Sequence, residues 1–144
     1  MAIRVITIDN NEDLAKAFKI REEVYIIEQE IPRAEEFDEF EDESIHLLAL
    51  DAATPCGVCR WRFTENGVKL ERFAVLQSYR GQQIGSALVS ACIISIIEHP
   101  DFKDQKMYLN AQLSAMPLYK KFGFEPEGEV FMECDIEHMK MVKK

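Results

Sequence analysis

The 144-residue sequence predicts an α/β fold, with a mixed central sheet of about seven strands flanked by helices. Three observations predict it. Short runs of β-branched and aromatic residues take turns with stretches of helical periodicity along the whole chain. Asn66-Gly67 is the two-residue signal of a hairpin between antiparallel strands. The glycine-bearing turn Arg80–Gly85 joins a strand pattern to a helix pattern.

Each element follows from its own residues. Ile3–Ile8 alternates apolar and polar residues, as a half-buried strand does. Asn11 caps a helix whose positions Leu14, Ala17/Phe18, Arg21 and Val24/Tyr25 keep helical spacing to about Gln29, with Pro32 beyond its end. Ile45–Asp51 and Gly57–Thr64 read as strands separated by the turn Ala53-Thr54-Pro55, and the hairpin then leads into Val68–Val75. Ile84, Leu88, Cys92 and Ser95/Ile96 recur at helical spacing through Glu98, and His99-Pro100 ends that helix. Met107–Ala111 is a further strand. A short helix over Pro117–Phe122 stops at Gly123. Val130–Glu133 and Glu137–Val142 close the sheet as an antiparallel pair. The order is βααβββαβαββ, read as one domain over residues 1–144 without repeats or linkers.

Composition narrows the function. A hydrophobic content of 47% and a charged content of 30% are those of a globular protein, and this length buries about 70% of the unfolded surface in one core. The longest apolar run, Ala91–Ile97, is too short to span a bilayer, and the N-terminus shows no leader pattern. No membrane association and a cytoplasmic location are expected. The net charge of −9, with no basic stripe, argues against nucleic acid as a partner.

The turn carries the first chemical signal. Two glycines at the opening of a helix present unpaired backbone N–H groups at the positive end of a helix dipole, the arrangement that binds phosphate. Gly85-Ser86-Ala87 lacks the lysine of a Walker loop, and two glycines are one short of a dinucleotide fingerprint. The ligand expected here carries a pyrophosphate.

The run Leu70-Glu71-Arg72-Phe73-Ala74-Val75, four residues, then Arg80-Gly81-Gln82-Gln83-Ile84-Gly85-Ser86 resembles the coenzyme A-binding segment of the GNAT acetyltransferase superfamily. A second match follows in order: Leu109-Asn110-Ala111-Gln112, then Leu118-Tyr119-Lys120-Lys121-Phe122-Gly123-Phe124. Arg21, Val24-Tyr25, Glu28-Gln29, Glu36, Asp38, Asp42 and His46 are similar to a bacterial branch described as glucosamine-phosphate N-acetyltransferase-like. The resemblance implies acetyl-CoA as co-substrate, no metal, a small-molecule amine as acceptor and direct attack in a ternary complex. A homodimer is left open. It also implies that the backbone of Phe73, Ala74 and Val75 meets the pantetheine arm, with the Phe73 N–H on the thioester carbonyl. The pyrophosphate would lie over Arg80, Gly81, Gln82, Gln83, Ile84, Gly85 and Ser86, and Asn110 would bond the pantetheine amides. Tyr119 is the implied acid for the departing thiolate; a phenol with pKa near ~10 is protonated at neutral pH. Glu71 and His138 are the two candidates for the base, with a base-free reaction as a third course. One departure stands out: the family usually has glycine where Gln83 lies. Gln83 still offers its backbone N–H if its side chain turns outward.

Two other readings use the same residues. Arg21…Val24-Tyr25 and Glu36-x-Asp38-x-x-x-Asp42 are also similar to acyl-homoserine lactone synthases, and a coenzyme-binding module without catalysis needs only the loop. The run Glu35–Glu43, seven acids in nine residues, reads either as a solvated loop or as a rim steering a cationic acceptor. Phe37 and Phe40 within it call for something to bury them. Cys56-x-x-Cys59 opens a strand pattern, where residues three apart point to opposite faces, and no second pair completes a zinc set. Cys92 and Cys134 read as small core or half-buried residues.

Overall fold

A computed structural model describes residues 1–143. β1 (Ile3–Thr7) leads to α1 (Asn11–Arg21). The cap is Asn10, one residue before the asparagine expected: its Oδ1 accepts the Asp13 N–H at 2.8 Å. Past Arg21 the helix widens. Glu22–Glu28 is π-helical, with the Gln29 N–H reaching back to Val24 O at 3.1 Å. A single turn, α2 (Arg33–Glu36), precedes the meander β2 (Ile45–Asp51), β3 (Thr54–Thr64) and β4 (Gly67–Val75). α3 (Ile84–Glu98) crosses to β5 (Met107–Gln112) and the short α4 (Met116–Lys120). β6 (Phe124–Pro126), β7 (Phe131–Glu133) and β8 (Ile136–Lys143) complete the chain. The expected order holds with an added strand, β6.

The sheet runs β1-β2-β3-β4-β5-β8-β6, with β7 also paired to β8. Only β4 and β5 are parallel; every other pair is antiparallel. Both faces are covered, so the central strands are apolar on both sides. In β2, Leu47 and Ala49 face α3, while Leu48 and Leu50 face α1. The first core packs Ile84, Leu88, Cys92 and Ile96 of α3 onto Cys59, Trp61, Val68 and Leu70. The second sets Ala17, Ile20 and Val24 onto Val58 and Ala74. Each such fully buried aliphatic side chain contributes about 1.5–3 kcal/mol. Among the described residues no helix is long and apolar enough to cross a membrane.

Two bulges break the alternation that the sequence implied. β3 begins at Thr54, so the turn before it shrinks to Ala52-Ala53, with Ala52 at φ +53. Leu50 pairs with Pro55 and Ala49 with Gly57, which leaves Cys56 as an extra residue. Cys56 and Cys59 therefore enter the same core, against the expectation of opposite faces. Both are free thiols, bonded to Ala49 O and Leu88 O. In β4, Ala74 pairs with Val58 and Glu71 with Arg60, so Arg72 and Phe73 together oppose Cys59. Arg72 takes φ +61 at this point. Phe73 thus joins Leu70 on the α3 side and Glu71 turns to the other face, whereas strict strand alternation would set the two on one face.

Candidate functional site

The bulge opens the sheet. β4 and β5 pair only at Val68↔Met107 and Lys69↔Tyr108, and beyond Lys69 the strands part around a cavity of about 740 Å³. The Leu76 N–H donates to Cys56 O at 3.0 Å across β3. Alternation therefore turns the peptide groups of Phe73 and Val75 away from β3 and toward the cleft. Their carbonyls are met there by side chains: Tyr25 donates its hydroxyl to Phe73 O, and Arg80 Nε donates to Val75 O at 3.0 Å. The same alternation sends their two N–H groups toward the cavity.

At one end of the cavity lies the turn before α3. Gly81 (φ +79) and Gln83 (φ +68) are both left-handed, and Gln83 is the helix cap without a side-chain bond. The first helical N–H to bond back is that of Ala87, to Gln83 O at 3.1 Å. The N–H groups of Ile84, Gly85 and Ser86 are left as donors at the positive end of a 15-residue helix. A Cβ on Gly85 would sit 3.2 Å from Leu118 Cδ2, so the missing side chain lets α4 approach. Arg80, Gly81, Gln83, Ile84 and Gly85 line the cavity; Gln82 and Ser86 do not. Arg80 is already engaged, with its guanidinium on both oxygens of Glu28 at 2.6 and 2.7 Å. That hydrogen bond and the arginine charge lower the Glu28 carboxyl below its usual range. Lys121 Nζ bonds Ser86 Oγ at 2.9 Å, placing a second cation at the loop.

Tyr119 projects from α4 between Phe73 and Phe124, at ring distances of 5.5 and 6.3 Å. It is 7% exposed and lines the cavity. Its hydroxyl has no protein partner among the described residues, yet no fully buried polar side-chain atom lacks one, so the oxygen reaches the open cavity. Burial pushes its pKa well above the ordinary tyrosine value. Asn110, in register with Lys140 of β8, also lines the cavity. His138 stands on β8 between Gln112 of β5 and Phe131 of β7, stacked on the Phe131 ring. Its Nδ1 lies 2.7 Å from Ile136 O. A carbonyl only accepts, so Nδ1 carries the proton and the neutral ring keeps its lone pair on Nε2.

Glu71, in contrast, is consumed by cations. Arg60 Nε lies 2.6 Å from its Oε2, Arg62 Nε 3.1 Å away, and Lys69 Nζ 3.2 Å from Oε1. Burial alone would raise its pKa, but Arg60 and Lys69 outweigh it and hold the carboxyl below its usual range.

The same arginines organise the acidic run. Arg21 clasps Glu36 at 2.7 Å and Glu41 at 2.8 and 2.7 Å, and Arg60 grips Asp38 bidentately at 2.9 and 2.7 Å. Arg72 adds bonds to Glu36 O and Asp38. Burial opposes ionisation of Asp38, but Arg60 brings its pKa down to about 2; at Glu36 burial prevails and the pKa rises. Phe37 packs edge-on to Phe18 under Arg21, and Phe40 lies beneath Arg62. Glu36, Asp38 and Glu41 thus dock the run as an ionic layer, while Glu35, Glu39, Asp42 and Glu43 stay exposed. The carboxylates of Glu35 and Glu133, which line the cavity, have no cation partner among the described residues.

Tyr25 and Glu28 line the cavity and Lys121 bonds Ser86 of the turn; the sequence singled out none of the three for a role. Tyr25 and Glu28 had appeared only within the N-terminal resemblance, and Lys121 within the tyrosine motif.

A family model described as an acetyltransferase (GNAT) domain matches residues 15–144. The Bacillus subtilis uncharacterized N-acetyltransferase YjcF is 37% identical over 142 residues, 98% of this chain and 99% of that protein. Among solved structures, an acyl-CoA N-acyltransferase from Pseudomonas aeruginosa superposes with a TM-score of 0.87 at 24% identity, covering 99% of this chain and 100% of that one. Escherichia coli ElaA gives 0.82 at 23%, with complete coverage of both chains.

Proposed function

Because this chain belongs to the GNAT acetyltransferase family, we propose that it moves an acetyl group from acetyl-CoA to a primary amine of a small molecule in one ternary complex. The observation that carries this reading is the opened β4–β5 cleft, with a helix N-terminus at one end and the free Tyr119 hydroxyl beside it. The uncapped N–H groups of α3 fit a pyrophosphate, and the Phe73 and Val75 N–H groups fit the pantetheine and thioester oxygens. The acceptor nitrogen attacks the thioester carbon, the carbonyl oxygen takes up negative charge against the Phe73 N–H, and the C–S bond then breaks. Tyr119 donates to the departing sulfur. A phenol with so high a pKa stabilises the thiolate by hydrogen bonding rather than by giving up its proton freely.

The attacking amine must shed a proton. Of the two candidates, His138 fits better, because its Nε2 lone pair is unclaimed on the cavity wall. Glu71 is held by three cations and makes a poor base; its fitting role is to anchor Arg60 and Lys69. The charge of the acceptor end supports a cationic amine without a phosphate. Its cations, Lys69 and Arg72, are both bonded to acidic residues, while Glu35 and Glu133 are unpaired there. Among the described residues, an aminosugar phosphate would find no free cation in that half.

The test is amine-dependent release of free coenzyme thiol across monoamines, polyamines, amino acids and aminosugar phosphates, repeated with longer acyl-CoA donors. Acetyl-CoA turnover with a cationic amine is expected. Coenzyme binding without turnover on any amine would favour a non-catalytic module, and a preference for long acyl donors would favour a synthase-like acyltransferase.

A further inference from the structure

The π-helical segment Glu22–Glu28 does more than extend α1. A π turn inserts a residue into a helix and re-aims the side chains after it. Here the segment and the residue that follows it reach three separate parts of the cleft. Tyr25 bonds Phe73 O on β4, Glu28 bonds Arg80 on the phosphate loop, and Gln29 bonds Gln112 on β5 at 2.8 Å.

The Tyr25 contact bears on the chemistry. At the β4 bulge Phe73 has no register partner in β3, and alternation turns its carbonyl and its N–H toward the cleft. An open carbonyl beside the thioester would place a second partial negative charge against the oxygen that becomes an oxyanion. The Tyr25 hydroxyl takes up that carbonyl and leaves the N–H as the group presented. It also ties the bulge down: without it, the peptide is free to turn back toward Cys59 of β3. Burial pushes the Tyr25 phenol far above its ordinary pKa, so it stays a donor throughout the neutral range.

We propose that Tyr25 is a positioning residue for acyl transfer, holding the Phe73 peptide so that its N–H points at the thioester oxygen. This rests on the reading that the Phe73 N–H polarises the thioester, and the experiment separates the two.

The carbonyl stretch of bound acetyl-CoA labelled with ¹³C at the thioester carbon reports the strength of the hydrogen bond it accepts. In the wild-type protein, binding should shift the stretch to lower frequency; no shift would overturn the Phe73 reading itself. In Tyr25→Phe, the stretch should return toward its value in solution and broaden. kcat should fall about 10–100-fold, less than the loss typical of deleting an oxyanion donor outright. The Kd for coenzyme A and the KM for the amine should stay within about threefold. An undiminished shift, or an unchanged kcat with chemistry rate-limiting, would overturn the role of Tyr25. If Tyr25→Phe fails to fold, 3-fluorotyrosine at position 25 decides, since it keeps the shape and strengthens the donor. A larger shift than in the wild type is then expected, and an identical one would overturn the proposal.

Discussion

Tyr119 has the two properties that a departing thiolate requires of its partner: a proton it keeps at neutral pH and a hydroxyl with no competing bond. Tyr119→Phe removes one oxygen from a ring held by Phe73 and Phe124, so the packing survives. We expect kcat to fall about 10²-fold, the low end for general acid catalysis, while coenzyme affinity measured by calorimetry changes less than about threefold. His138→Gln is expected to lower kcat/KM for the amine about 10²-fold while coenzyme affinity holds, the loss typical of removing a general base. Legibility differed sharply among these residues. Tyr119 stands in a compact string, Leu-Tyr-Lys-Lys-Phe-Gly-Phe, that announces itself. The bonds of Tyr25 and Glu28 join residues 48 and 52 positions apart, and no local pattern encodes such a meeting.

At the scale of elements, strand and helix identities followed from periodicity, whereas the irregularities that make the cleft did not. A bulge at Arg72 needs a left-handed φ, which a chain normally signals with glycine; an arginine there leaves alternation as the only guide, and alternation would set Phe73 beside Glu71. The π turn is equally silent, since its side chains keep a helical pattern through Tyr25. Gln83 is a case where the sequence did warn, because a glycine is usual at its position and the structure gives it φ +68. Gln83→Gly should relieve left-handed strain of roughly 1–2 kcal/mol, partly offset by glycine's greater freedom when unfolded, and raise the thermal midpoint slightly. Coenzyme affinity should hold, because the side chain is not needed to present the N–H; a loss beyond about threefold would show that the glutamine itself contacts the ligand. Gly85→Asp is a poorer probe of this loop, since its Cβ would press on Leu118 before its charge met any phosphate.

Across the whole molecule, the ionic layer ties α1, α2, β3 and β4 together through Arg21, Arg60 and Arg72. Asp38, brought down to about 2, contributes stability that is fully present above its unfolded pKa near ~4 and disappears as pH falls through 2. Asp38→Asn should therefore cost roughly 1–3 kcal/mol at pH 7, measured by urea unfolding, and the gap from the wild type should close on acidification. Added salt should narrow it little, because the partner Arg60 is buried. Amides at Glu36, Asp38 and Asp42 together should lower stability, with little change in KM for an amine. The short seam between β4 and β5 has a mechanical consequence as well. β1–β4 and β5–β8 are each stitched by long antiparallel ladders, yet they share only two paired positions. Strand pairing alone thus leaves a narrow seam between the halves, bridged by the one core beneath α3, and a coenzyme bonded to both would brace them like a strut. At ~100 times its Kd such a ligand adds ~2.7 kcal/mol of stability. On coenzyme addition, amide exchange should slow most not at the turn before α3 but along the facing edges of the cleft, at residues 73–75 and 109–111.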